Sequence, residues 1–253
     1  MDNIVAWSSL RHLSLNPAKT YFLIFGTPHM LRKINLSSIV IKVMNDIIHP
    51  SNEVKYLGLY ITSNLNWKRH TSIISGKVFE ILRRLSLRRA SLSIGTRILL
   101  VKTLVLPLIE YGSVAMTDIT QDAESRLKVA LNASLRFIYG FGWSTSATPY
   151  RKRLNLLSIS IRRNYNALIF LFKTIKSQRP SYCVDFLPPN PSHNKTRARG
   201  TQNMPSFQNK SFTKTFHYHT LKQWNSLPNS IQNAKSLNSF KNLLLKHLLI
   251  NDR

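Results

Sequence analysis

The sequence predicts an α+β chain, mostly α: a small antiparallel β region followed by a helical region and a helical C-terminal region. Three observations carry this. Residues 1–64 hold short β-prone runs cut by Asn-Pro, Gly and Pro. From Leu65 onward, apolar residues recur at helical spacing. Residues 188–204 (PPNPSHNKTRARGTQNM) are polar, proline-rich and without period, as an extended loop would be.

Taken in order, residues 3–13 suit a short helix, and Asn16-Pro17 a turn. Residues 21–25 (YFLIF) read as a strand closed by Gly26 and Pro28. Ile39, Ile41 and Val43 alternate with Val40 and Lys42, and residues 54–61 read as a partner strand with Gly58 near its middle. Ile74, Val78, Ile81, Leu82 and Leu85 then form one helical stripe, with Lys77, Arg84 and Arg88 in a basic row beside it. Residues 95–111 are apolar almost all round, which predicts a central helix kinked by Pro107.

The apolar run at 98–109 is broken by Lys102 and Pro107 and reads as short of a membrane span. Thr120 or Asp122 can cap the next helix, whose stripe is Leu127, Leu131, Leu135 and Ile138, with Gly140 and Gly142 ending it. Over 161–176, Ile161, Tyr165, Leu168, Phe172 and Ile175 face inward, with Arg162 and Lys173 at the margin. Residues 211–224 mix aromatic and basic side chains. Ser236 can cap a last helix in which Leu237, Phe240, Leu244 and Leu248 align. The expected boundaries are 1–64, 65–180, a basic linker over 181–210, and 211–253.

The charge is lopsided: 36 Lys and Arg against 10 Asp and Glu, net +26. Such a surplus calls for a polyanion, and its spread from Arg11 to Arg253 favours nucleic acid over a membrane, which usually meets one amphipathic helix or a local cluster. Cys183 is the single cysteine, so an intrachain disulfide and a Cys-based zinc site are both excluded, and it is expected to be a small buried hydrophobe. The opening MDNIVAWSSL lacks a basic n-region and does not resemble a secretory signal. The expected location is intracellular. His217-x-His219 has no third ligand at a suitable spacing, so no metal is expected there.

The order of motifs has a family likeness. LSLNPAKTYFLIFG following Trp7, VKYLGLYI, LNWKRH, LPLIEYG, RFIYGF, PYRKRLNLLSISIRRNY, HNKTR, and WNSLP with SLNSFKNLLLKHLL together resemble the palm end, thumb and C-terminal region of a non-LTR (LINE-type, jockey-like) retrotransposon reverse transcriptase. The resemblance implies an RNA-directed DNA polymerase parent, RNA and DNA as partners in a template–primer duplex, and a nuclear or cytoplasmic ribonucleoprotein setting. It puts Tyr56, Leu57 and Gly58 in a primer-grip hairpin. Trp67, Lys68, Arg69 and His70 fall at the start of the thumb, where aromatic and basic character suits a duplex, although Trp67 suits a staple against the strand slightly better. Lys77, Arg84, Arg88, Arg162 and Lys173 become candidates for tracking phosphates. Arg151-Lys152-Arg153, Arg162-Arg163 and residues 195–199 are further candidates for RNA.

Nucleotidyl transfer in that family uses two Mg²⁺ ions held by clustered carboxylates. This chain has no Asp-Asp pair, and its densest acids, Asp118, Asp122 and Glu124, suit a helix N-terminus. Met1 falls about where the family has passed its Asp-Asp hairpin. The expectation is a truncated protein without a cofactor or polymerase activity of its own, with Lys19 a vestigial general acid and a separate palm and fingers polypeptide as a possible partner. The alternatives are a stand-alone basic helical nucleic-acid-binding protein derived from a retroelement, or a non-functional translated pseudogene.

Overall fold

Short turn-rich segments give short elements in the first part of the chain. The computed structural model describes residues 2–184, 204 and 215–252, and it divides into two units, Met1–His70 and Thr71–Arg253. The expected linker lies mostly outside the described residues. Its start at Ser181–Val184 is a single helical turn.

In the first unit, helix α1 (Asp2–Leu10) is followed by a 3₁₀ turn at Pro17–Lys19 and by α2 (Pro28–Lys33), where the Thr27 hydroxyl accepts from the Met30 N–H. Two antiparallel hairpins follow. Strand β1 (Ile41–Val43) pairs with β2 (Asp46–Ile48), Ile41 opposite Ile48. Strand β3 (Glu53–Tyr56) pairs with β4 (Leu59–Thr62), Tyr56 opposite Leu59. The single strand expected over 54–61 is therefore a hairpin, and the partner of β1 is its own neighbour in sequence. Leu57 (φ 45°) and Gly58 (φ 84°) form the two-residue turn. Both central residues need positive φ to match the strand twist, so Gly58 serves the turn rather than a close approach at mid-strand.

YFLIF forms no strand. The Phe22 carbonyl accepts from Ser51 N–H at 2.9 Å and Gly26 N–H donates to Ser63 O at 3.1 Å, isolated bonds that do not make a ladder. Val43 and Trp67 are this unit's buried hydrophobic side chains among the described residues.

Among its described residues the second unit has helices joined by turns and no strand. Helix α3 (Lys68–Ser86) begins in the last residues of the first unit and carries the expected stripe, with Ile74, Val78 and Leu82 buried. Next come α4 (Ile94–Leu100), a π turn at Val101–Val105, and α5 (Leu106–Glu110). Pro107 cannot donate an N–H and its ring would crowd a carbonyl one turn back. The wider π turn, closed by Leu106 N–H on Val101 O, absorbs this in place of a simple kink. Burial is confined to one side (Val101, Val105, Leu106, Ile109), while Ile94, Leu99 and Leu104 are exposed, so the segment is less central than its composition suggests. Counted through these turns, residues 94–115 are long and apolar enough to cross a membrane by length and composition, contrary to the expectation from 98–109 alone. Its buried face packs in a core with α3 and α6 (Gln121–Tyr139).

Helix α6 is bounded as the sequence predicts: the Thr120 hydroxyl accepts from Ala123 N–H, and Gly140 (φ 78°) closes the other end. A β-carbon on Gly140 would lie 2.3 Å from an Arg89 guanidinium nitrogen. Helices α7 (Thr148–Arg153) and α8 (Ile159–Ser177) follow. Beyond α9 (Ser181–Val184) come α10 (Phe216–Asn225), α11 (Asn229–Gln232) and α12 (Leu237–Asn251), the last capped by Ser236.

One cluster joins α3 to α6 with Leu156 and Ile159. The other joins Leu168, Leu171 and Phe172 of α8 to Leu221, Trp224, Phe240 and Leu244. Phe172 and Phe240 stack at 4.2 Å. The C-terminal helices thus share a core with α8 instead of standing apart.

Candidate nucleic-acid interface

A basic surface requires cations that the fold does not consume. In the first unit, β3 and β4 present Tyr56 and Gly58 at an exposed hairpin tip, with Tyr56 and Leu57 largely open to solvent. Trp67 is different. It is 6 % exposed, its ring meets His70 edge-on at 6.2 Å, and the His70 Nδ1 accepts from the Tyr60 N–H of β4 at 3.4 Å. Trp67 is therefore a staple between hairpin and helix start, not a surface for a duplex. Lys68 and Arg69 are exposed, and Arg69 lies 3.5 Å from Glu53.

Lys19 is exposed on its 3₁₀ turn. An open hollow of about 590 Å³ beside this turn contains one lining carboxylate, Asp46. Among the described residues no group of three or more His, Cys, Asp or Glu side chains could hold a metal ion.

In the second unit, Lys77 and Arg84 stand two turns apart on the exposed flank of α3, Arg84 paired with Glu80. Arg88 is exposed but lies past the end of α3 at Ser86, so the helical row stops at Arg84. Lys173 is exposed beside an open groove that it shares with Lys176 and Lys235.

Arg162 does not belong with these. Its guanidinium is joined to Glu110 of α5 and its side chain is mostly buried. Arg163 likewise reaches Glu124 of α6 at 2.7 Å. Arg151 is buried and forked on Asp252, which also accepts from the Ser158 N–H at 2.6 Å at the start of α8. These three arginines hold helices together, which withdraws Arg151, Arg162 and Arg163 as ligands for RNA. A carboxylate from a distant segment meets each one, so local sequence offered no hint. The basic stretch at 195–199 lies outside the described residues.

Two more arginines serve the end of α6: Arg89 donates to Phe137 O at 2.8 Å and Arg97 to Ile138 O. Around the same end is an aromatic cluster that is not among the candidates drawn from the sequence. Phe141 and Tyr150 stack at 4.0 Å, Tyr139 lies 5.0 Å from Tyr150, and Arg136 sits 4.6 Å from the centroid of an exposed Trp143. The signal was present as YGFGW followed by PYRKR, aromatics and cations one short loop apart.

Burial also sets the titration of a few groups. It lowers His217, and lowers His219 with help from Arg163 and Lys222. It raises Tyr165, with Arg162 opposing and Glu110 adding to the rise.

Comparison with protein-family models, curated proteins and solved structures finds no match to the chain.

Proposed function

We propose that this chain corresponds to the palm end, thumb and C-terminal region of a non-LTR retrotransposon reverse transcriptase, and that it binds RNA–DNA template–primer through basic helical surface without transferring nucleotides itself. The ordered motifs from NPAKT to SLNSFKNLLLKHLL support the family. One structural observation carries the binding: among the described residues, six arginines already neutralise six of the ten carboxylates, so the +26 surplus stays outside the pairs, with Lys77 and Lys173 among the exposed cations. The absence of an Asp-Asp pair from the sequence supports the lack of catalysis.

A gel-shift series with an RNA–DNA hybrid tests the binding. Neutralising about six to ten phosphates would weaken affinity about 10³–10⁵-fold between 50 and 200 mM salt. Substituting Lys77, Arg84 and Arg88 together should lower affinity for all sequences alike and flatten that salt slope. A salt-independent association would defeat the reading. Primer extension with Mg²⁺ tests the other half, since extension by this chain alone would show a competent metal site. A stand-alone nucleic-acid-binding role is the second reading, favoured by the two core clusters that the second unit holds within itself.

A further inference from the structure

The loop after α6 holds a tryptophan whose exposure the packing does not require. Trp143 is 75 % exposed, yet it is fixed from behind. The Arg136 guanidinium lies 4.6 Å from its ring centroid and donates to its backbone carbonyl at 3.1 Å. The same guanidinium lies 5.3 Å from the centroid of Phe141, which stacks on Tyr150 at 4.0 Å and an interplanar angle of 9°. Arg153 sits over Tyr150 at 5.5 Å. The contacts form one chain of cations and rings, Arg153, the stacked Tyr150 and Phe141, Arg136 and Trp143, and the last ring ends in water.

A large apolar ring held rigid at a surface loses little freedom when a ligand covers it, which is what a recognition surface needs. A cation behind the ring and more cations nearby favour an electron-rich, anionic ligand. Lys152 and Arg153 are exposed on α7, beside the aromatic cluster, and suit the phosphates on either side of a stacked base. A base inside a duplex already has neighbours on both faces. An unpaired base has one to give.

The geometry points to Trp143 as a stacking platform for an unpaired nucleotide of a single-stranded stretch of RNA or DNA, with Arg136 positioning the indole and Lys152 and Arg153 taking the flanking phosphates. This rests on the nucleic-acid reading above and adds the strandedness and the residue that senses it.

The test uses the full chain and fluorescein-labelled strands of about twelve nucleotides, a length within the range such surfaces cover. Three probes are compared by anisotropy: an unstructured single strand, a duplex of the same length, and an abasic strand that keeps the phosphates. Trp143→Ala should weaken the single strand about tenfold or more, as loss of one stacked base predicts, while Trp143→Phe keeps most of the affinity. The duplex and the abasic strand should change less than about twofold. The ring is solvent-exposed, and circular dichroism with thermal melting should confirm that both variants remain folded.

If wild type and Trp143→Ala bind the single strand equally, the platform is refuted and the nucleic-acid reading stands. An equal loss on the abasic strand refutes it too, because the effect would then be electrostatic. If the wild-type chain binds none of the three probes, both proposals fall.

Discussion

The two units of this chain solve the same problem with different means. Residues 71–252 bury two clusters of Leu, Ile, Val, Phe and Trp side chains between helices, and reinforce them with ion pairs reaching across the sequence. Residues 2–70 close two small hairpins by local turns and bury few hydrophobic side chains, leaving Trp7, Leu10, Tyr21, Phe25 and Ile47 exposed. A two-stranded hairpin without a second layer is marginal in water. The contrast teaches that sequence patterns of equal clarity do not imply equal stability. Alternation in a strand matters only where a second layer covers it.

Hydrogen exchange on the full chain gives the largest expected effect. Amides of α6 and α8 should exchange by global opening, orders of magnitude more slowly than those of β1 to β4, which open locally. Equal protection would break the comparison. Next in size is the buried Arg151–Asp252 pair. Asp252→Ala leaves a guanidinium sealed without its counter-charge and should cost about 3–5 kcal/mol in urea unfolding monitored through the second unit. The exposed Arg69–Glu53 pair, by the same measurement on Glu53→Gln, should cost about 0–1 kcal/mol.

Helix caps sharpen the contrast further. Thr120→Ala should lower global stability by about 1 kcal/mol, whereas Thr27→Ala should leave the main unfolding midpoint in place, because α2 belongs to the unit that opens first. The smallest effect concerns pH. His217 and His219 are held below the usual 6.5, mainly by burial, so the unfolded chain takes up protons first as pH falls. Stability should be full above that value and decline as pH drops through it and towards the lowered folded values. The His217→Gln, His219→Gln double variant should flatten this dependence, and a slope that persists unchanged would assign it elsewhere.

Much of the helical part was legible because its cause is local. The stripe from Ile74 to Leu85, the Thr120 and Ser236 caps and the Gly140 stop each depend on residues within a few turns. What escaped depends on partners far away. No periodicity tells that Arg151 will meet Asp252, or that Arg89 will reach Phe137 O. Leu57-Gly58 was read inside a strand since leucine is a poor indicator of a positive-φ turn, and the π turn depends on how Pro107 is accommodated in a packed helix. For the interface, Lys77, Arg84 and Lys173 stand at the surface as read, while Trp67 and Arg162 were aromatic and basic in composition but internal in use.

The guanidinium groups of Arg89 and Arg97 on the last carbonyls of α6 have an electrostatic consequence. A bare helix C-terminus carries about half a negative charge and turns anions away. With two cations fastened over it and Arg136 in the same last turn, that end of the helix has its sign reversed. A feature that would ordinarily repel a phosphate chain becomes the ground on which Trp143 stands.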